Sequence, residues 1–371
     1  MKKIVLSLFF SLLCLSVHGT SLESVFHLGE KRSPRLDKLL PQVAKSITFN
    51  NDSTKLVVHE MGGSIVEWEI QKRQKRLICR IGEDQWCAYT PRINSIIIPK
   101  ANGGISVLNI SNGNGIKLRE TGEDFQFINT GGELKRQYQN GFFSSDSHLV
   151  ALTAGGNEIE LWRFSYACIN SERNNQNKIE ITPWKIRDLQ TQLPVRNGMV
   201  ISPSKCLVAA AEGTYRDGEG HCTIIEIWNL RNNKRPIRVF NTGEILGVWN
   251  LIFSDSGQML AVDTQLNAKS GIRVWNVRTG AQLLQKSGFE AYWTRALAFA
   301  PNRNSGLIEY LASGDEKGNL RIWKVPGGES IMWVNYPTGI QALAFSPNGE
   351  YLAVALWDTT IQILRWNTNE Q

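Results

Sequence analysis

Short apolar stretches separated by polar turns recur along most of the chain. The clearest example is residues 340–364, IQALAFSPNGEYLAVALWDTTIQIL. Residues 340–345 alternate between larger apolar and smaller or polar side chains, which is typical of a strand. Residues 351–355 form a nearly all-apolar run, as in strands buried on both faces. The Ser-Pro-Asn-Gly turn at 346–349 separates the two, and a third strand follows at 361–364. The pattern therefore predicts three consecutive short β-strands.

The third of these strands has copies throughout the chain, each an alternating apolar strand that ends in Trp or Leu. The seven copies are residues 64–68, 105–108, 158–162, 225–228, 272–275, 320–323 and 361–364. Two other strand-like stretches precede each copy, and a fourth follows most of them, as at 278–284. One small sheet cannot bury both of its faces alone, so a repeated sheet unit predicts stacked sheets.

The sequence words SPNGEYLAVA, TRALAFAPN, GNLRIW and GIRVWNVRTG resemble the WD40-repeat β-propeller family. The resemblance covers nearly the whole chain after the N-terminal segment and is closest over 245–366. The family's Trp-Asp pair is replaced by Trp-Asn at 228–229 and 275–276 and by Trp-Lys at 323–324. The family's Gly-His pair before the first strand is absent in every repeat, and its loop Asp is in register only at Asp358. The resemblance therefore implies the fold but not the family's buried Asp–His network.

The expected fold is all-β, a seven-bladed β-propeller of four-stranded antiparallel blades over residues 20–371. Stacking twisted sheets around a ring buries each against its neighbours. The last repeat has no room for a fourth strand before Gln371. We therefore expect residues 23–28 to pair with the strand at 361–365, close the ring and remove an exposed edge.

Three insertions interrupt the repeat. Residues 112–138 are expected to join blades 2 and 3, and residues 163–197 to join blades 3 and 4. Within the second insertion, the polar run at 171–178 predicts a loop. Residues 212–222 are expected to enlarge one loop of blade 4.

Residues 1–19 have the pattern of a secretory signal peptide. Lys2 and Lys3 form a positive start, an apolar run follows, and a cleavage site is expected near Gly19. A lipid anchor at Cys14 is disfavoured because the preceding Leu13 is bulky. The prediction is a periplasmic or secreted protein. Two alternatives stay open, namely a buried N-terminal helix and an intracellular adaptor whose N-terminus only mimics a signal.

Charge and cysteine content exclude several classes of partner. The formal charge of +7 is small and scattered, which argues against a nucleic-acid-binding protein. The six cysteines form no CxxC motif, so zinc, haem c and iron–sulfur sites lack their ligand pattern. These cysteines are expected to be small buried residues, with one disulfide left open if the protein is exported. No cofactor is expected.

The sequence shows no motif for catalysis. It has no GxSxG and no phosphate-binding loop. His59 and His221 are expected in loops between second and third strands, in blades 1 and 4. Those blades lie on opposite sides of a seven-bladed ring, so the two histidines cannot share a metal. We therefore predict no catalytic residues, no metal site and no enzyme activity.

Aromatic residues divide into two groups. Those that occupy the repeat position are expected in the core, and they are Trp68, Trp162, Trp228, Trp275 and Trp323. A second group belongs to blades 5 to 7 on the top face, where the chain enters first strands and joins second to third strands. This predicted partner-binding group consists of Trp249, Tyr292, Trp293, Tyr336 and Trp357. The alternative is that these rings wedge between blades or plug the channel.

Basic residues gather in turns expected on the opposite, bottom face. They are Lys72, Arg73, Lys75 and Arg76 in blade 1 and Arg231, Lys234 and Arg235 in blade 4. Such a face can meet an anionic surface or simply keep the protein soluble.

Proteins of the resembled family serve as rigid platforms for other proteins. The sequence therefore predicts an exported, non-catalytic scaffold for protein–protein interaction, working as a subunit or assembly partner of a larger complex. The alternative is an enzyme or small-ligand-binding propeller that uses the channel mouth. Such propellers carry clustered His, Asp or Glu at strand entries, and this chain has few.

Overall fold

The structure is a computed structural model, and it describes seventeen parts of the chain. These are residues 20–28, 43–81, 87–90, 94–99, 105–109, 140–143, 149–153, 156–171, 176–204, 206–216, 219–231, 235–246, 248, 250–266, 269–289, 294–302 and 308–368. Several sequence predictions lie outside these residues. They are the signal peptide at 1–19, the insertion at 112–138, and Trp249, Tyr292, Trp293 and Lys234.

The described residues contain 27 β-strands and no helix. The first strand is β1 (Thr20–Leu28). Sheet 1 consists of β2 (Ala44–Phe49), β3 (Lys55–Glu60), β4 (Ser64–Glu69) and β5 (Gln74–Arg80). Sheet 2 consists of β6 (Ala88–Thr90), β7 (Ser95–Pro99) and β8 (Ile105–Asn109). Sheet 3 consists of β9 (Asn140–Phe143), β10 (Leu149–Thr153), β11 (Glu158–Ser171) and β12 (Gln176–Gln190).

The remaining sheets follow the same order. Sheet 4 consists of β13 (Val195–Ile201), β14 (Leu207–Arg216), β15 (Glu219–Asn229) and β16 (Arg238–Leu246). Sheet 5 consists of β17 (Leu251–Phe253), β18 (Met259–Leu266), β19 (Lys269–Asn276) and β20 (Gln282–Phe289). Sheet 6 consists of β21 (Thr294–Phe299), β22 (Glu309–Asp315), β23 (Asn319–Val325) and β24 (Glu329–Asn335). Sheet 7 consists of β25 (Ile340–Phe345), β26 (Tyr351–Leu356), β27 (Ile361–Thr368) and β1.

Consecutive strands pair antiparallel within every sheet, so the chain runs as a series of short meanders. Six sheets have four strands, and sheet 2 has three in the described part of the chain. The predicted all-β class and the repeated antiparallel sheet are confirmed.

Sheet 7 is built from both ends of the described chain. β1 pairs antiparallel with β27, with Glu23 opposite Arg365 and Leu28 opposite Ile361. The Leu28 side chain is buried and packs in a cluster with Ile361 and Ile363. The predicted pairing of residues 23–28 with 361–365 is confirmed.

Apolar clusters fill the spaces between neighbouring sheets. Within sheet 4, alternate residues of β14 face opposite ways, because side chains of a strand alternate between its two faces. Val208 and Ala210 pack toward sheet 3, whereas Ala209 and Ala211 pack toward sheet 5. The nearly all-apolar second strands are therefore buried on both faces, as their composition predicts.

The repeat-position tryptophans belong to these clusters. Trp162, Trp228, Trp275 and Trp323 are buried, and Trp68 is a partly buried residue packed against the core. The Trp275 ring stacks on Phe240 of the preceding sheet with a centroid distance of 5.0 Å. The predicted core role of these residues is confirmed.

A buried serine shapes the turn between the first and second strands in three sheets. The hydroxyls of Ser202, Ser254 and Ser346 accept hydrogen bonds from the backbone N–H five residues later, at distances of 3.1, 3.2 and 2.9 Å. In sheet 1, Ser53 lies in the corresponding turn, and its Oγ accepts from Asn348 N of sheet 7 at 3.2 Å. These turns fix the short loops and tie sheet 7 to sheet 1.

Two predicted insertions are long hairpins rather than loops. Residues 163–197 were expected to join two blades, but β11 and β12 pair as one hairpin from Glu158–Gln190 to Ser171–Gln176. Ser171 and residues 176–178 of the polar run are therefore strand rather than loop, because cross-strand hydrogen bonds satisfy their backbone groups. Residues 212–222 likewise extend β14 and β15, which pair as far as Arg216–Glu219.

Two cysteines in the described part of the chain, Cys79 and Cys87, behave as small core residues. Cys79, Cys87 and Cys206 are free thiols. Cys79 lies in the cluster between sheets 1 and 2, and Cys87 packs against that cluster. Burial raises the pKa of Cys79 to about 11 and that of Cys87 to about 12, because it disfavours a charged thiolate.

Candidate protein-interaction surface

The junction of sheets 6 and 7 carries the predicted aromatic residues that the structure describes. The connector from β24 to β25 contains Tyr336 and Gly339, and the β26–β27 turn contains Trp357. Trp357 is 37% exposed. Tyr336 is only partly exposed, packs against the core between the two sheets, and has its pKa raised by burial. The structure thus brings Tyr336 and Trp357 to one edge, with Trp357 the more accessible.

The Trp357 side chain is held in place from several directions. Its indole Nε1 donates to Gln341 Oε1 at 2.7 Å, and its backbone N donates to Gly339 O at 2.9 Å. The Arg295 guanidinium lies 5.9 Å from the ring centroid, within range of a cation–π interaction. A fixed ring loses little conformational freedom on binding, which favours partner recognition.

β-bulges place polar residues at the start of three first strands. The pairing register shifts between Thr294 and Ala296 in β21, between Ile340 and Ala342 in β25, and between Ala44 and Ser46 in β2. The extra residues in these strands are Arg295, Gln341 and Lys45. A bulge redirects a side chain without ending the strand. Two of the bulged residues, Arg295 and Gln341, contact Trp357.

A second exposed tryptophan was missed by the sequence reasoning. Trp333, in the outer strand β24, is 51% exposed, and its Nε1 donates to Asn319 Oδ1 at 3.1 Å. Asn319 is in turn fixed by Asp315, whose Oδ1 accepts from the Asn319 backbone N at 2.9 Å. The sequence could have indicated this exposure, because Trp333 does not occupy the repeat position that core packing explains.

We call Arg295, Trp333, Gln341 and Trp357 the 6–7 rim. Both indole N–H groups in this set already have acceptors on the same chain. A partner therefore does not need to supply acceptors for them and gains mainly from covering the ring faces. The rim therefore suits contact with another macromolecule, because it offers large apolar ring faces beside a fixed amide and a guanidinium group.

The basic group on sheet 1 is largely paired with carboxylates. Lys72 contacts Glu69 at 2.7 Å, Lys75 contacts Glu60 at 2.6 Å, and Arg76 contacts Glu67 at 3.0 Å. The prediction that all of this group lies in a turn is wrong for Lys75 and Arg76, which belong to β5 because the ladder with β4 continues to Glu69–Gln74. On sheet 4, Arg231 and Arg235 are exposed.

The two histidines do not lie in loops, so that prediction is wrong. His59 is in β3 opposite Ile65, and His221 is in β15 opposite Thr214, because both hairpins continue further than the sequence suggested. The His59 side chain is buried, and its Nε2 has no hydrogen-bond partner among the described residues. Burial and, to a lesser extent, the charge of Lys45 lower the pKa of His59 to about 4.

We expect His59 to make the protein sensitive to mild acid. The fold favours neutral imidazole, so this contribution is complete above the unfolded pKa of about 6.5 and is lost as the pH falls toward about 4. Replacing His59 with Leu should reduce the loss of stability between about pH 7 and pH 4.5 by about 1–3 kcal/mol. Urea unfolding of wild type and of the His59→Leu variant at the two pH values measures this difference. An equal decrease in the free energy of unfolding in both proteins would contradict the prediction.

No group of three or more His, Cys, Asp or Glu residues lies close enough to hold a metal ion within the described ranges. Within the same ranges, the structure has no helix that could span a membrane.

Comparison with known proteins identifies the repeat. The WD40 family profile, described as WD domain, G-beta repeat, matches residues 334–364, which run from the end of β24 into β27. Protein ROOT INITIATION DEFECTIVE 3 of Arabidopsis thaliana is 25% identical over 178 residues, which are 44% of this chain and 38% of that protein. Apoptotic protease-activating factor 1 of Rattus norvegicus is 25% identical over 252 residues, which are 66% of this chain and 16% of that protein.

The chain thus spans well under two thirds of the length of either relative. The profile match falls on the strands whose sequence pattern recurs along the chain, and the same antiparallel sheet recurs with it. Residues 334–364 of this chain therefore match a WD40 repeat, and this match together with the two relatives supports a WD40-repeat family.

Proposed function

We propose that this protein is a non-catalytic platform for protein–protein interaction and works as a subunit or assembly partner of a larger complex. WD40-repeat proteins typically bind other proteins, and the chain carries this repeat. The 6–7 rim carries the proposal, because it presents two accessible tryptophans that are fixed by hydrogen bonds on their own chain.

The platform is proposed to be a closed ring of seven blades. Each sheet packs against the next one along the chain, and the cluster around Leu28 also contains residues of sheets 7 and 1. The Ser53–Asn348 hydrogen bond joins the same two sheets. Such packing holds surface loops still, which is what a platform requires.

Replacing Trp357 with Ala should weaken partner binding at least about tenfold, since buried tryptophans dominate many interfaces. The unfolding temperature should change little, because the side chain is partly exposed. The measurement is affinity capture from the native source with wild-type and variant protein, followed by titration of the captured partner.

Leu77→Ala is the matched control for this experiment, because Leu77 is also a large exposed side chain but lies on β5 of sheet 1. It should retain every partner that wild type captures. If Trp357→Ala and Trp333→Ala each captured the same partners as wild type, the rim would be excluded as the contact surface. Turnover of a small substrate by the purified chain would argue against the platform itself.

We also propose that the protein is exported to the periplasm or beyond the cell. The support is the basic, then apolar pattern of residues 1–19. N-terminal sequencing of protein from its native source should find a first residue near position 20, and recovery of an intact Met1 would contradict export. The basic residues of sheet 1 have no part in the proposal, because Lys72, Lys75 and Arg76 already pair with carboxylates.

A further inference from the structure

Two carboxyl groups are completely buried between sheets 3 and 4. Glu212 in β14 is opposite Ile224, and Glu226 in β15 is opposite Ala210. The two residues are therefore diagonal neighbours on one face of sheet 4, the face that Val208 and Ala210 turn toward sheet 3. Both side chains are 0% exposed. Neither carboxyl can therefore exchange hydrogen bonds with bulk water.

Both carboxyls bind the short connector between sheets 3 and 4, residues 191–194. Glu212 Oε2 accepts from the backbone N of Leu193 at 3.0 Å, and Glu226 Oε1 accepts from Gln192 Nε2. The two carboxyl groups are also within hydrogen-bond reach of each other. The pair therefore ties the connector to β14 and β15.

The remaining oxygens, Glu212 Oε1 and Glu226 Oε2, receive no hydrogen from any other group among the described residues. Two carboxylates cannot hydrogen-bond each other without a proton, because each offers only acceptors. Two negative charges this close and this deeply buried would also repel each other strongly. The arrangement therefore requires at least one proton shared by the pair.

The surroundings favour keeping that proton. Burial is the main cause that raises the pKa of Glu212, the hydrogen bond and charge of Glu226 raise it further, and the backbone donors Leu193 and Gln192 oppose the shift. The ionisable side chain that acts on Glu212 is therefore Glu226. Other ionisable residues on the neighbouring strands include Glu158 and Glu160 in β11, Arg187 and Asp188 in β12, and Arg238 in β16. Arg187 donates to Leu230 O, and Asp188 is exposed.

We propose that the Glu212–Glu226 pair is a proton-dependent latch, which holds connector 191–194 on sheet 4 while it shares one proton and releases the connector when that proton is lost to solvent. Loss of the proton changes the pair from one negative charge to two. The repulsion then falls on the side-chain hydrogen bonds that hold Gln192 and Leu193, whereas Pro194 O stays bonded to the backbone N of Gly213 in β14 at 3.1 Å. This inference is independent of the proposed platform function.

The direction of the pH effect follows from proton binding. In the unfolded chain, a glutamate loses its proton near its ordinary pKa of about 4.5, whereas the buried pair still holds one. Between the ordinary glutamate pKa and the raised pKa of Glu212, the native state therefore binds more protons than the unfolded state. The free energy of unfolding falls as the pH rises through this range. Stability contributed by the pair is complete in mild acid and is lost progressively toward alkaline pH.

The test compares wild type with Glu212→Gln. An amide of the same shape can accept from Leu193 N and donate to Glu226 without a titratable proton, so the latch should stay closed. Amide hydrogen exchange at Leu193, corrected for the intrinsic effect of pH, should become at least about tenfold faster in wild type between about pH 6 and pH 10. In Glu212→Gln it should stay constant.

Glu350→Gln, which changes an exposed glutamate, should behave like wild type. Infrared spectroscopy provides a readout that needs no pH change, because a protonated carboxyl band should be present at neutral pH and reduced in Glu212→Gln. If that variant does not fold, Glu226→Gln serves in its place. Equal pH profiles at Leu193 in wild type and variant, or no protonated carboxyl in wild type at neutral pH, would overturn the latch.

Discussion

Replacing Leu28 with Ala is expected to lower the free energy of unfolding by about 2–5 kcal/mol, since a large apolar side chain would be lost from a packed core. Leu28 is 1% exposed and ends the strand that pairs with β27. The cavity would open in the cluster shared by sheets 7 and 1. Urea unfolding monitored by tryptophan fluorescence measures the loss.

The matched control is Leu77→Ala, which removes the same atoms from a side chain that is 51% exposed. Its effect should stay within about 0.5 kcal/mol. If Leu28→Ala were equally mild, β1 would contribute little to sheet 7, and the proposed ring would have to close without it.

Replacing Gly339 with Ala is expected to destabilise the protein by about 1–3 kcal/mol, because the added methyl group has no space. A Cβ at this position would lie 2.6 Å from Glu316 O and 2.8 Å from Cδ2 of Trp357. The backbone oxygen cannot move easily, so the Trp357 ring should shift outward. Thermal unfolding and the emission maximum of tryptophan fluorescence should both change.

Gly156→Ala provides the comparison, because a Cβ there would have nothing within 4 Å. It should leave the unfolding temperature and the emission maximum unchanged. Since Gly339 lies under the 6–7 rim, Gly339→Ala should also weaken partner binding. Normal stability of Gly339→Ala would show that the connector is less tightly packed than these distances indicate.

Several features could be predicted from sequence because they depend on local pattern. The strand order, the core tryptophans and the pairing of residues 23–28 all follow from the period of apolar positions and from the need to cover a sheet edge. Insertions were harder to read. The polar run 171–178 looks like a loop, but Ser171 and residues 176–178 belong to two paired strands, and pairing partners are not encoded by composition alone.

The candidate site was only partly predictable for a similar reason. Trp357 could be singled out because it falls outside the repeat position. Arg295 and Gln341 could not, because a bulge becomes visible only when both strands of a pair are placed in register. Glu212 and Glu226 read as ordinary charged residues, and their burial comes from the long hairpin and from sheet 3.

The pairing of β1 with β27 has a consequence for how the chain folds during synthesis. The ribosome releases residues 20–28 long before their partner at 361–368. Sheets 1 to 6 can form in succession from neighbouring segments, whereas sheet 7 must wait for a contact between residues more than 300 positions apart. Contacts of such high sequence separation slow folding, so the final step should be late and should depend on the whole chain.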